Sequence, residues 1–312
     1  MAKFSRTSTA YADDGSVVAA NVPRMSSKGL LIEEGTTNLA PVLTNYSKDT
    51  GITYDGVVVG YENFSGYKFT YLAGTTNKNI YFPTSKSISV GDSITGTCWV
   101  KSNKDISNLT FNSGNNIIYN ISLASNVWKR LSYTRVATTA TTLVYSAIGF
   151  RSATTEDYEL VISGFSVEAK PYATSFHPTT RTAESLTIPA SCLSATEGTI
   201  EFDAILPNSG KNNLDYRYLL YAERSSGGDY WLTLRHVINS SQFQFATKNN
   251  KGESTSAYFS DSLITTDTKV RCAVKWNSQL AKVIVNGVTV ATINIPKLPT
   301  TPSYLLFIGS TN

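Results

Sequence analysis

The sequence predicts an all-β protein, built as two tandem antiparallel β-sandwiches behind an extended N-terminal segment. Three observations carry that expectation. The first is composition: over 312 residues only 16% are charged, Tyr numbers 18 and Met 2. The missing charge is replaced by Ser, Thr, Asn and Tyr, and branched and aromatic side chains pack well on a pleated surface. The second is alternation. Ile117-Ile118-Tyr119-Asn120-Ile121, Tyr158-Glu159-Leu160-Val161-Ile162 and Thr199-Ile200-Glu201-Phe202-Asp203-Ala204-Ile205 read as short strands. The third is turn chemistry. Asn286-Gly287 sits between two Val-rich runs and supplies the positive φ angles of a two-residue hairpin turn. Further turns are expected at Gly91-Asp92, Asn112-Ser113-Gly114-Asn115 and Ser225-Ser226-Gly227-Gly228-Asp229. No segment holds a 3.6-residue apolar period over three turns, so only short helical turns are expected.

Along the chain, residues 1–37 read as an extended lead-in, because they carry turns and few strand signals. It is expected to anchor the protein or to pack along the first sandwich. Residues 38–170 form the first sandwich, with Phe69, Tyr71, Ile80, Phe82, Trp99, Val100, Phe111, Trp128, Ile148, Phe150 and Phe165 among its core candidates. Residues 171–182 are a linker, marked by Pro171, Pro178 and a run of Thr. Residues 183–312 form the second sandwich, with Trp276 as a core candidate.

Charge and cysteine usage narrow the function classes. The net charge is +4, and no basic block is longer than the pair Lys129-Arg130. A nucleic-acid binder needs a basic stripe, so no nucleic-acid partner is expected. Cys98, Cys192 and Cys272 are odd in number and far apart. They cannot form a fully paired disulfide framework, and they offer no zinc spacing; three free, mostly buried thiols are expected. No apolar h-region opens the chain and no run reaches the roughly 20 apolar residues of a membrane helix, so neither a secretory leader nor a membrane span is expected.

The first forty residues also carry a resemblance. Arg6-Thr7-Ser8-Thr9-Ala10-Tyr11, the turn at Asp14-Gly15, Pro23-Arg24, Gly29-Leu30-Leu31-Ile32-Glu33 and Thr37-Asn38-Leu39 resemble a lead-in of bacteriophage virion proteins, placed ahead of carbohydrate-binding-type sandwiches. Thr95-Gly96-Thr97-Cys98-Trp99-Val100-Lys101 and Val127-Trp128-Lys129-Arg130-Leu131-Ser132-Tyr133 resemble paired strands of carbohydrate-binding-module-like jelly rolls. Gly164-Phe165-Ser166-Val167-Glu168 with Tyr172-Ala173-Thr174-Ser175-Phe176 resembles the exit of such modules in phage tail proteins. Glu197-Gly198-Thr199-Ile200-Glu201-Phe202, Tyr230-Trp231-Leu232-Thr233-Leu234 and Ala273-Val274-Lys275-Trp276-Asn277 resemble a concanavalin-A-like or laminin-G-like sandwich. That pattern normally continues past the segment resembling Leu306-Phe307-Ile308-Gly309. Either the second sandwich lacks a strand, or a partner chain supplies one, or the first strand after the linker fills the place.

No catalytic constellation emerges. Glu201 and Asp203 share one strand face, but the third acid of the laminarinase-like Glu-x-Asp-x-x-Glu pattern would fall at Leu206. They read as solvent-side residues of an edge strand. His177 and His236 are the two histidines, and neither has metal-ligand spacing. Asp229 and Asp261 are loop carboxylates outside any Asp-rich calcium loop, so no metal and no cofactor are expected. For sugar binding, alternation places Trp231, Thr233 and Arg235 on one face and Leu232 and Leu234 on the other. A Trp beside Thr and Arg offers a stacking platform, and Tyr216 and Tyr218 precede it.

The resemblance therefore implies a non-enzymatic virion structural protein of a fibre, spike or capsid appendage, located on the virion surface. Its expected contacts are other virion proteins and host surface glycans, through Trp231, Arg235, Tyr216 and Tyr218. Such fibres are often trimers, so a homo-oligomer is expected, although no heptad or collagen-like repeat marks one. The alternatives are a polysaccharide depolymerase, hydrolase or lyase, and a decoration protein without ligand.

Overall fold

A computed structural model describes residues 2–12, 14–26, 28–33, 35–40, 46–62, 64–74, 77–113, 116–194, 196–206, 217–225, 229–237, 240–248, 253–264, 268–295 and 305–308. They are almost wholly strand, with two 3-10 turns at Ala190–Cys192 and Asp261–Leu263. The chain divides into two compact units. The first holds residues 8–19 and 35–181, the second residues 1–7, 20–34 and 182–312.

The first unit is a sandwich of two five-stranded sheets. One runs in the order Asn116–Leu123, Ile106–Ser113, Thr141–Phe150, Lys78–Ile88 and Ser47–Lys48. The other runs Lys129–Val136, Ser93–Ser102, Tyr158–Glu168, Ser65–Tyr71 and Ile52–Val59. The ladders are antiparallel. Side chains alternate across a strand, so each sheet sends one set inward. Phe82, Phe111, Ile148 and Phe150 meet Phe69, Tyr71, Cys98, Val100, Ile162 and Phe165 in one core. Tyr71 crosses the layers and donates its hydroxyl to the Ile148 carbonyl at 2.9 Å. Burial holds its phenol well above the ordinary tyrosine range.

Two of the expected core residues are not in that core. Trp99 and Trp128 are half-buried and lie outside the apolar cluster. The reason is strand parity. Cys98 and Val100 are both fully buried between the sheets, so Trp99, between them, faces the opposite side. Trp128 shares parity with Arg130, which pairs with Trp99 across the ladder.

The second unit packs a seven-stranded sheet on a four-stranded one. The larger sheet runs Lys3–Ser5, Ser185–Pro189, Leu305–Ile308, Arg217–Ser225, Asp229–His236, Gln242–Lys248 and Ser254–Ser260. The smaller runs Gly198–Ile205, Lys269–Trp276, Leu280–Val285 and Val288–Asn294. Leu220, Leu232, Phe245, Val274, Trp276 and Val283 are among the shared core. The Asn286-Gly287 turn takes φ values of 49° and 85°, the two positive angles its hairpin requires. The strand after the linker, Ser185–Pro189, pairs with Leu305–Ile308. Its other edge is covered by Lys3–Ser5 from the start of the chain.

The motif residues near the N-terminus act as latches. Within the second unit Arg6 Nη1 lies 2.6 Å from Glu184 Oε1. Arg24 reaches both Glu184 oxygens, at 2.7 and 2.5 Å, and Glu33 Oε2 at 2.7 Å. Arg6, Arg24 and Glu184 are all at most 1% exposed. Burial is the largest single influence and works against the Arg24 charge, but the hydrogen bonds and negative charges of Glu184 and Glu33 together outweigh it and its pKa is raised. Glu184 also accepts the Glu33 amide at 2.9 Å. In the first unit Asn38 plays the matching part. Its Oδ1 accepts the Val167 and Ala40 amides, both at 3.0 Å, and its Nδ2 donates to the Phe165 carbonyl at 3.1 Å.

Candidate functional site

The strongest constellation lies on the outer face of the first unit's second sheet. It begins at a tight hairpin between Ile52–Val59 and Ser65–Tyr71. The Gly60 amide donates to the Phe64 carbonyl at 3.0 Å, and the Tyr61 amide donates to Ser163 Oγ at 3.2 Å. A Cβ at Gly60 would collide with Ser163 Oγ and the Phe64 carbonyl, so only glycine lets the loop lie this close to the sheet. The loop sets Tyr61 on Trp99, ring centroids 4.9 Å apart and planes 11° from parallel.

Trp99 is positioned from beneath by a bulge. The ladder pairs Thr97 with Ser166 and then Trp99 with Ser163, leaving Gly164 and Phe165 opposite Cys98 alone. Gly164 sits at φ 57°, the left-handed conformation such bulges favour. A Cβ there would meet the Trp99 ring at 2.9 Å. The bulge also turns Phe165 into the core, where it is 2% exposed. Trp99 thus lies over a bare stretch of backbone, with Phe64 at 5.7 Å on one flank.

Trp128 closes the array, edge-on to Tyr61 at 6.0 Å. Phe64 continues it inward to Phe176 at 4.8 Å, and Tyr11 touches both at 5.6 Å. Two cations sit on the indoles: Lys101 Nζ is 5.0 Å from the Trp128 centroid and Arg130 Cζ 4.9 Å from that of Trp99. Arg130 also donates to the Thr174 carbonyl at 2.8 Å. Tyr61, Trp99 and Trp128 are each half-buried. Large rings held rigidly on a sheet face outside the core are the informative exception to ordinary burial.

The residues expected to bind sugar from the sequence lie in the second unit. Tyr218 and Arg235 are directly opposite one another, and Arg235 Nη1 donates to the Tyr218 hydroxyl at 3.0 Å. Arg235 Nε and Nη2 both donate to Gln244 Oε1, at 2.9 and 2.7 Å. Gln244 Nε2 donates to the Tyr258 hydroxyl at 2.8 Å. The four form a polar row across four neighbouring strands. The Trp231 backbone belongs to the Asp229–His236 strand; its side chain, and all of Tyr216, lie outside the described residues.

The acidic pair on the outer strand is occupied by cations. Asp203 lies 3.1 Å from Lys269 and 3.3 Å from Arg271, and Glu201 lies 4.0 Å from Lys275. Hydrogen bonds from Lys269 and Arg271 lower the Asp203 carboxyl pKa. A general acid needs the opposite shift. His177 and His236 are both buried, 4.0 Å from Glu168 and 3.7 Å from Asp261 respectively. Among the described residues no group of three His, Cys, Asp or Glu is arranged to hold a metal, and no helix is long and apolar enough to cross a membrane.

Sequence reasoning missed the first-unit array by placing Trp99 and Val100 in the same core. The signal was present: alternation itself forbids two adjacent strand residues from facing one side.

No family model and no curated protein matches the sequence. Similar solved structures include the receptor binding domain of botulinum neurotoxin D, at 8% identity and a TM-score of 0.27, covering 99% of this chain and 45% of that one. Another is the CBM22-1 xylan-binding domain from Paenibacillus barcinonensis Xyn10C, at 13% identity and 0.28, covering 46% and 97%. The CBM22-1-CBM22-2 tandem domain of the same Xyn10C matches at 12% identity and 0.28, covering 89% and 88%. This chain spans less than half the length of the neurotoxin chain it matches. At such TM-scores the likeness carries no functional argument, which rests on the chain's own geometry.

Proposed function

We propose that this protein is a non-catalytic glycan-binding protein of a virion surface appendage, and that the first unit carries its principal sugar site. The observation behind the reading is the array of Tyr61, Trp99 and Trp128 on the outer sheet face. The faces of a sugar present C–H patches that stack on aromatic rings, while its hydroxyls need polar groups at the edge. A few fixed polar groups around an apolar surface are the usual makings of a small-ligand site. Rings seated on glycine backbone at Gly60 and Gly164 are pre-positioned, so little ordering opposes binding.

The virion part rests on the lead-in resemblance. Arg6, Arg24, Glu33 and Asn38 from that segment are structural latches in the fold, consistent with a segment that belongs to the sandwiches it precedes. Contacts to other virion proteins, a homo-oligomeric state and a virion-surface location follow from the same resemblance. Many weak sites on one particle would act together through avidity.

The test is a glycan array probed with the chain presented multivalently, followed by adsorption to host cells. Wild-type protein is expected to bind a restricted set of glycans, and Trp128→Ala and Tyr61→Ala to lose most of that binding while remaining folded. Reducing-sugar or unsaturated-product release from a bound polymer would establish a depolymerase instead. No adsorption by either particle or multivalent protein would leave a decoration protein without ligand.

A further inference from the structure

We infer that the ring array selects acidic glycans, those bearing a carboxylate or a phosphate, an inference that rests on the glycan reading above. Two cations flank the rings, and they stand on the same sheet face. Arg130 is directly opposite Trp99, and Lys101 lies two residues beyond Trp99 on the same strand. That diagonal separates their backbone positions by about 7–8 Å, the reach of one sugar ring and its charged substituent.

The other charges around the face leave the Lys101 ammonium uncancelled. Lys68 is paired with Glu159 at 2.9 Å and Lys104 with Glu156 at 2.6 Å, so those neighbours are neutral as pairs. Glu62 is exposed, in the loop next to Tyr61. Lys129 follows Trp128, exposed, with its Nζ on the Ser122 carbonyl at 2.9 Å. Among the described residues no carboxylate lies within ion-pair distance of Lys101, whose ammonium contacts the Trp128 ring. Cation–π contact at an exposed site is modest, about 0.5–1 kcal/mol, and leaves the ammonium hydrogens available as donors. A ligand carboxylate or phosphate at the rim of the rings therefore accepts charge-assisted hydrogen bonds from Lys101. The sugar ring stacks on Trp128 or Tyr61 at the same time. Neutral sugars gain only the stacking.

The experiment is an array carrying neutral, carboxylated and phosphorylated glycans, with matched pairs in which the carboxylates are methyl-esterified. It is run on the full chain at low and high salt with wild type, Lys101→Met and Trp128→Ala. Met keeps an apolar stem on the indole and removes the charge. The expected result is acidic binding that falls about tenfold or more on esterification, on raising salt and in Lys101→Met. Any neutral binding should survive Lys101→Met, and Trp128→Ala should lose both. Preference within the acidic set for carboxylate or phosphate identifies the source of the anion. Equal binding of esterified and free glycans, or acidic binding untouched by Lys101→Met, overturns the charge inference and leaves the glycan reading standing. Absence of binding to every member overturns both. Salt-sensitive binding to nucleic acid with no glycan bound would assign the face to a different partner and overturn it equally.

Discussion

The first unit covers the outer face of a sheet with rings, whereas the second lays a chain of hydrogen bonds across its own. Tyr61 stacks on Trp99 and meets Trp128 edge-on. Tyr218, Arg235, Gln244 and Tyr258 satisfy one another's polar groups. The difference bears on what each face offers a ligand. Stacking against the array gives up at most a modest cation–π contact, about 0.5–1 kcal/mol at an exposed site, such as that of Lys101 on Trp128. Hydrogen bonding to Arg235 competes with the bonds it already makes, and exchanging one such bond for another gives little net gain. The same contrast runs through the N-terminal latches: the second unit uses buried ions and the first uses a buried amide.

The largest expected effect breaks the buried-ion side of that contrast. Glu184→Ala leaves Arg6 and Arg24 buried without their shared carboxylate, and removing one partner of a buried pair costs about 3–5 kcal/mol. Denaturant unfolding of the full chain should show the second unit's transition shifted by that much and the first unit's unchanged. A shift no larger than that of a surface substitution would mean the carboxylate is not the centre of the latch.

Next is the comparison of two aromatic residues in one unit. Phe165→Ala removes a ring from the core between the sheets, and such a truncation costs about 3–5 kcal/mol. Trp128→Ala removes one from the outer face and should cost only about 0.5–1.5 kcal/mol, the worth of its edge-on pair with Tyr61. Equal losses in the two unfolding curves would return Trp128 to the core.

A smaller effect sharpens the account of how the rings are held. Gly164→Ala places a Cβ against the Trp99 ring at a positive φ, a strain of about 1–3 kcal/mol. Both the melting temperature and glycan affinity should fall. Loss of stability alone would show that the bulge serves only the core side through Phe165.

The smallest effect concerns the thiols. Burial pushes the Cys272 thiol up to about 11 and the Cys98 thiol higher still, and thiolate is the reactive form. Cys192 is exposed. A thiol reagent at neutral pH should label Cys192 in the native protein and reach the other two only after denaturation.

Much of the fold was legible in the sequence because its signals are local. Alternation marks strands such as Tyr158–Glu168, and Asn286-Gly287 fixes its own hairpin. The latches were visible only as motif residues without a role. Arg6 and Glu184 are separated by 178 positions, and nothing near either residue announces the other. Less of the candidate site was legible. Alternation grouped Trp231, Thr233 and Arg235, with Tyr218 named only as preceding them; the structure joins Tyr218 to Arg235 in the second unit. The first-unit array needs Tyr61 from a hairpin loop, Trp99 from a bulged ladder and Trp128 from a strand entrance. Only the packed sheet brings those three together.

The central claim is that Tyr61 and Trp128 form a ligand surface, with Trp99 stacked beneath Tyr61. It is tested most directly by following the four tryptophan indole N–H signals by NMR as a glycan bound on the array is titrated in. The Trp276 indole is a built-in control, since it is 5% exposed and donates to the Ser194 carbonyl at 2.9 Å. The expected result is that the Trp99 and Trp128 signals move together with saturation while that of Trp276 stays still. Saturable binding that leaves Trp99 and Trp128 unmoved and shifts Trp231 would contradict the claim and assign the sugar to the second unit.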